Sequence, residues 1–154
     1  MTTITIGDSL PEFNAETNQG DLNSKDLVGQ PLVLYFYPRD NTPGCTNQAN
    51  DFQTHLKEFE ALGVKIIGAS RDSLRSHERF AEKYDLQFPL IADPEETLCN
   101  LFEVMKDKNM YGRKVRGIER STFLFDAQGK LVQEWRKVKV PGHVEEVLQA
   151  AKAL

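Results

Sequence analysis

Leu32-Val33-Leu34-Tyr35-Phe36-Tyr37-Pro38-Arg39-Asp40-Asn41-Thr42-Pro43-Gly44-Cys45-Thr46 is the stretch on which the reading of this chain turns. Six apolar residues in succession, closed by a proline, predict a strand over 32–37 that is buried on both faces. Helix-start signals follow at once. Thr42 is a good N-cap, and Pro43 suits the first helical position because its missing N–H has no intrahelical partner there. Gly44 lets another group come close to the backbone. Cys45 then falls at the third helical position, where a capping box places Glu or Gln. A negatively charged sulfur takes over that role, within reach of the free amides and the positive dipole end of the first turn. Downstream, Ala49, Phe52, Leu56, Phe59 and Leu62 recur at steps of three and four, predicting one helix over 43–61 with a single buried stripe.

How much help a thiolate needs can be put in energies. A free thiol has a pKa of about 8.5, and bringing one to about 6 takes roughly 3.4 kcal/mol at 1.36 kcal/mol per unit. A helix terminus supplies at most ~2 kcal/mol, so a second donor is required. Arginine stays charged and presents a planar fork of N–H donors; Arg39, Arg71, Arg113, Arg116 and Arg120 are the possible suppliers, and the sequence leaves the choice among them open.

Outward from this core the pattern is regular. The 32–37 strand, the 43–61 helix, a strand over 64–70 and a helix over 73–84 make a βαβα unit, which implies parallel pairing and a right-handed crossover. Ile4 and Ile6 are expected to open a short strand, 13–22 to form a hairpin around Asn18-Gln19-Gly20, and 24–28 a helical turn. A strand over 88–92 leads through Asp93-Pro94 into a helix whose apolar face is Leu98, Leu101, Phe102 and Met105, with Cys99 beside it. Residues 106–119 read as a long irregular loop, with Arg113-Lys114-Val115-Arg116 solvated and Met110 and Tyr111 offered as pocket-lining groups. A hairpin over 120–125 and 130–136 and a final helix over 143–154, with Val144, Val147, Leu148 and Ala151 inward, complete the chain. This order predicts an α/β, single-domain, thioredoxin-like fold over 1–154: a central mixed sheet flanked by helices, with an N-terminal hairpin addition.

Composition sets the outer bounds. The chain has 154 residues, enough for one domain with a sizeable core. Its apolar content of 40% and charged content of 27% are those of an ordinary globule. A formal charge of −4 argues against nucleic acid or an anionic membrane surface as partner. Met1-Thr2-Thr3-Ile4-Thr5-Ile6 lacks the basic start and apolar stretch of a secretion signal, and no run approaches a membrane span, so a cytoplasmic protein is expected. Two cysteines do not make a disulfide framework. A Cys-x-x-Cys redox motif is excluded, because Thr42 and Gln48 stand at the two positions it needs. His55, His77 and His143 lack a recognisable catalytic context and read as surface or helix residues, and no close Cys/His cluster suggests zinc. Gln48 and Asp40 read as helix and turn support.

Pro38-x-x-x-Thr42-x-x-Cys45 resembles the active-site signature of peroxiredoxins, and the string from Tyr35 to Thr46 is similar to the bacterioferritin comigratory protein, or peroxiredoxin Q, branch. Arg120-Ser121-Thr122-Phe123-Leu124-Phe125-Asp126 resembles the second family segment, and the closing Lys137-Val138-Lys139-Val140-Pro141-Gly142-His143 agrees, so the likeness spans nearly the whole chain. The resemblance implies a thiol peroxidase that reduces hydrogen peroxide and organic hydroperoxides without metal or organic cofactor. It implies Cys45 as nucleophile, oxidised to a sulfenic acid. Thr42 is to hold peroxide and thiolate, Arg120 to stabilise thiolate and leaving oxygen, Pro38 to shield the pocket, and the Gly44 and Cys45 amides to complete the cradle.

The chain also departs from the family pattern. Many members carry a resolving cysteine five residues after the reactive one, and others on the helix after the next strand. Here the first position is Asn50, and 72–84 holds no cysteine. Only Cys99 remains, read as structural. One-cysteine behaviour is expected, with glutathione, a glutaredoxin or thioredoxin as external reductant and a monomer as the family default. The alternatives are a two-cysteine mechanism in which Cys99 resolves, and a non-catalytic thiol redox sensor or holdase, which would stop after about one equivalent of peroxide.

Overall fold

A computed structural model describes residues 4–154. The buried run forms strand β3 (Leu32–Phe36) at the heart of a seven-stranded sheet. Its neighbours are parallel β4 (Lys65–Ser70) on one side and antiparallel β8 (Ser121–Phe125) on the other. Beyond β4 lies parallel β5 (Leu90–Ala92), and beyond that the N-terminal hairpin β1 (Asn14–Thr17) and β2 (Gly20–Asn23); β9 (Leu131–Arg136) closes the other edge. The mixed sheet and hairpin addition are those the sequence predicts. The crossover from β3 to β4 runs through helices α1 (Pro43–Thr54) and α2 (Leu56–Ala61); α3 (Leu74–Tyr84) joins β4 to β5, and α5 (His143–Lys152) ends the fold.

Strand alternation divides the interior into two layers. Val33, Tyr35 and Tyr37 face a cluster built with Ala49 and Phe52 of α1, Phe59 of α2, Phe80 of α3 and Val147 of α5. Leu32, Leu34 and Phe36 face the other way, onto Leu98, Phe102, Val104, Ile118 and Phe123. Cys45 belongs to the first layer and Cys99 to the second.

Several expectations need correction. The predicted 43–61 helix is two helices meeting at His55, whose φ of −98° and ψ of 6° interrupt the ladder. Periodicity missed the break because Phe52, Leu56 and Phe59 stay buried across it, while Leu62 beyond is 39% exposed. The helix around Cys99 covers only α4 (Thr97–Leu101); Glu103 takes a left-handed φ of 50°, and Met105 begins a strand instead of extending the apolar face. Residues 106–119 are not irregular. They form the hairpin β6 (Met105–Met110) and β7 (Arg113–Ile118), closed by Tyr111 and Gly112, both at positive φ as a type I′ turn requires. The strands were hidden by their polar residues and the turn by a tyrosine where Asn or Asp usually signals it. Tyr111 is 100% exposed at that tip and lines no pocket, the side chain of Met110 lies outside the described residues, and Arg116 is not merely solvated but pairs with Glu96. Finally, Ile4 and Ile6 open no strand: Ile4 is buried against the second layer, Ile6 is exposed, and the segment is fastened by Gly7 N–H to Leu131 O and an isolated Ser9–Lys130 bridge.

Candidate active site

β3 ends at the sheet's C-terminal edge, and the loop that leaves it delivers Cys45 to the first turn of α1, as the Pro43-Gly44 signal predicts. The first intrahelical bond is Thr46 N–H to Thr42 O at 2.8 Å. The amides of Gly44 and Cys45 precede it and therefore have no intrahelical acceptor. Thr42 occupies the N-cap position, yet its hydroxyl does not cap: it donates to Arg39 O at 2.9 Å, back into the loop, which leaves its oxygen free to accept. Pro38 stands half-buried just past Tyr37. Cys45 is 2% exposed and unpaired with any other sulfur.

Of the five candidate arginines, the fold brings Arg120 to the sulfur. Arg120 directly precedes β8, on the side of the sheet toward which Thr122 and Leu124 also point. Its Nη2 lies 3.5 Å from Cys45 Sγ and its Nη1 donates to Gln48 Oε1 at 2.6 Å. Gly44 is what allows this approach: a Cβ at that position would stand 3.2 Å from Arg120 Nη2. Arg71 and Arg116 instead pair with Glu96, on the α4 side.

Sequence reasoning undervalued several polar residues around this loop. Gln48 is fully buried and fixes the Arg120 fork; its position three residues after Cys45, on the same helical face, was the available signal. His77 is not a surface residue but 0% exposed. Its Nδ1 meets Asp40 Oδ2 at 2.7 Å, and its Nε2 donates to Ile91 O at 2.8 Å. Asp40 also accepts from Tyr37 OH at 2.6 Å and Ser76 Oγ at 2.8 Å, while its own amide donates to Asp72 Oδ2 at 2.9 Å. The loop between β3 and Thr42 is thus clamped to α3 and β5 by a satisfied buried network. Burial and the nearby Asp40 carboxylate hold the Tyr37 phenol well above its ordinary range. His143 is also buried, beside Thr122 Oγ1 at 2.8 Å; desolvation first, and then the Arg120 charge, pull its pKa down to about 4. It is a neutral imidazole packed behind the arginine.

Cys99 has a different environment. Its amide donates to Asp93 Oδ2 at 2.8 Å, and burial, followed by hydrogen bonding to Asp93, drives its thiol far above the ordinary range. Such a sulfur is protonated and unreactive. Among the described residues, no group of three His, Cys, Asp or Glu side chains is placed to hold a metal ion, and no helix is long and apolar enough to cross a membrane.

A cysteine at a helix mouth, backed by an arginine that directly precedes the neighbouring strand β8 of a thioredoxin-like sheet, defines a thiol-dependent peroxidase. Residues 6–134 match the model of the AhpC/TSA family, and the chain belongs to that family, in its peroxiredoxin Bcp branch. It is 56% identical over 126 residues to the peroxiredoxin Bcp of Xanthomonas campestris, covering 82% of this chain and 79% of that protein. To the peroxiredoxin Bcp of Bacillus subtilis it is 46% identical over 151 residues, covering 97% and 96%. Among solved structures it resembles a PrxQ mutant from Xylella fastidiosa with a TM-score of 0.93 and 42% identity, covering 99% of this chain and 98% of that one.

Proposed function

We propose that this peroxidase works with one redox-active cysteine and takes its second thiol from outside. The observation that carries this reading is the placement of Cys45 and Cys99 in the two layers on opposite faces of the sheet, so the strand backbone lies between their sulfurs. A disulfide needs Cα atoms about 4.4–6.8 Å apart; joining these two requires the sheet to be breached.

On this reading the Cys45 thiolate attacks the terminal peroxide oxygen. The O–O bond breaks, the sulfur keeps one oxygen as sulfenic acid, and the other leaves as alkoxide or hydroxide and takes up a proton. Arg120 balances negative charge on sulfur and leaving oxygen, and the Thr42 hydroxyl oxygen accepts from the peroxide O–H. The Gly44 and Cys45 amides aim at the reacting oxygens, and Pro38 keeps water from the pocket. Thioredoxin, a glutaredoxin or glutathione then restores the thiol. Hydrogen peroxide and organic hydroperoxides are both substrates; a related Xanthomonas campestris bacterioferritin comigratory protein, 47% identical with a TM-score of 0.88, is described by its alkyl peroxide reduction activity. Two free cysteines fit a reducing cytoplasm. The single-domain reading rests on a length of 154 residues with no dividing linker, and the monomeric reading on the family resemblance.

The test treats wild type, Cys45→Ser and Cys99→Ser with limiting hydroperoxide and records intact mass and turnover with glutathione or thioredoxin. Cys45→Ser is expected to lose all activity and Cys99→Ser to keep most of it. An intramolecular disulfide in the oxidised wild type, lost together with turnover in Cys99→Ser, overturns the one-cysteine mechanism. A stop after one equivalent with every reductant would make the chain a sensor.

A further inference from the structure

Among the cavities outside the site already described, one borders the loop that leads to Cys45. It is a groove of about 280 Å³ between the loop that carries Thr42 and the exposed side of α3, lined by Asn41, Ser73, Ser76, Arg75, Arg79 and Lys83 around Phe80 and the edge of Asp40. Arg75, Arg79 and Lys83 follow one another at steps of four, so they share one face of the helix and point along one line. All three are exposed, and none forms an ion pair among the described residues. Lys83 Nζ donates to Asn41 Oδ1 at 3.3 Å, which ties the row of cations to the active-site loop. The one carboxylate at the groove, Asp40, is spent on Tyr37, Ser76 and His77 and offers nothing to these cations. In a chain whose formal charge is −4, a cavity with three uncompensated cations selects for an anion.

We propose that this groove binds the external reductant, and that the reductant is a small thiol bearing carboxylates, of the glutathione type. The proposal rests on the one-cysteine reading, which requires an external thiol. Three observations favour that occupant over others. The volume, about 280 Å³, falls just below the usual range for small-molecule pockets and so suits only a small ligand. Phe80 is the one large apolar side chain in the lining, too little to hold the tail of a lipid hydroperoxide. The groove wall is also continuous with the reacting segment, since Asn41 stands four residues before Cys45, at most about 14 Å along an extended chain. With its carboxylates on Arg75 and Arg79, such a thiol presents its sulfur toward the 41–45 segment. It attacks the Cys45 sulfenic acid, forms a mixed disulfide and releases water; a second thiol takes the first as a free disulfide and returns Cys45 to the thiol. Because Cys45 is 2% exposed, this exchange needs the first turn of α1 to open, and the loop that leads into that turn lines the groove at Asp40 and Asn41.

The experiment compares glutathione with its diester, which lacks both carboxylate charges, and with cysteamine, which has no carboxyl group, as reductants of wild type and of the Arg75→Gln/Arg79→Gln double variant, following disulfide formation. A separate single-turnover oxidation of wild type by hydrogen peroxide tests the peroxidase reading by itself. The expected result is a kcat/KM for glutathione at least tenfold above that for its diester in wild type, falling with added salt. In the double variant that ratio is expected to collapse toward one, and Arg79→Glu to invert it. If wild type is oxidised by peroxide yet treats the three thiols alike, or the ratio survives in the double variant, the groove assignment is refuted while the peroxidase stands. If a protein dithiol alone gives turnover, and the charge variants slow it, the groove is a protein-docking surface and the small-thiol proposal fails.

Discussion

Replacing Arg120 with alanine tests the electrostatic core of the site. Its guanidinium serves two groups at once: Nη2 at 3.5 Å from Cys45 Sγ and Nη1 at 2.6 Å from Gln48 Oε1. A hydrogen bond to a charged partner contributes about 1.5–3 kcal/mol, and the arginine acts on both the thiolate and the leaving oxygen. Its loss is therefore expected to cost about 3 kcal/mol of transition-state stabilisation, roughly a 150-fold drop in the second-order rate of oxidation. Arg120→Lys should recover only part, because one ammonium cannot span sulfur and amide as a fork does. Gln48→Leu, which leaves the charge but frees its orientation, should cost about tenfold. The assay mixes reduced protein with peroxide, quenches in milliseconds, traps the sulfenic acid with a 1,3-dione and weighs the product. A second readout is independent of chemistry: Arg120 contributes to holding His143 down at about 4, so in Arg120→Ala the His143 ring should titrate higher by NMR. An oxidation rate within fivefold of wild type in Arg120→Ala would refute the reasoning.

Other expectations follow from the same contacts. Gly44→Ala places a Cβ 3.2 Å from Arg120 Nη2, so peroxide oxidation should slow several-fold while helix propensity raises stability by up to about 0.5–1 kcal/mol, opposite signs that stopped-flow and thermal melts can separate. His143 takes its proton in the unfolded state near pH 6.5 and in the folded state near 4, so its contribution is complete above 6.5 and is lost as pH falls toward 4. That difference is worth about 3 kcal/mol, and should appear as a gap between the urea stability curves of wild type and His143→Gln that narrows below pH 6.5. Asp40→Ala strands His77 in the interior and should destabilise by about 3–5 kcal/mol. Asp40→Ala/His77→Leu should cost less than the two single changes added together; additive costs by denaturant titration would show that the pair is not coupled.

Much of this fold was legible because its signals are local. The β3 run and the Thr42-Pro43-Gly44 helix start each depend on neighbouring residues and stand where predicted, and the stripe stays buried through Phe59 although the helix that carries it breaks at His55. The β6–β7 hairpin was not legible, since both strands are largely solvated and lack the alternation that burial imposes. The site divides the same way. Cys45 and Thr42 are set by the helix start, whereas Arg120 lies 75 positions away from Cys45: local pattern left five arginines open, only the family resemblance pointed to Arg120, and the β3–β8 register is what carries it to the sulfur. Asp40 and His77 are 37 positions apart and, as isolated letters, a turn residue and a helix residue.

Sequence alone determined that one sulfur sits at the mouth of a helix leaving a buried strand, because dihedral preference and hydrophobic period act over a few residues. Tertiary structure decided which cation reaches that sulfur, that the second cysteine lies across the sheet from it, and that three cations line a groove beside its loop. These are relations between segments distant in the chain. They come from strand order and from which face of each strand a side chain takes, and no local pattern encodes them.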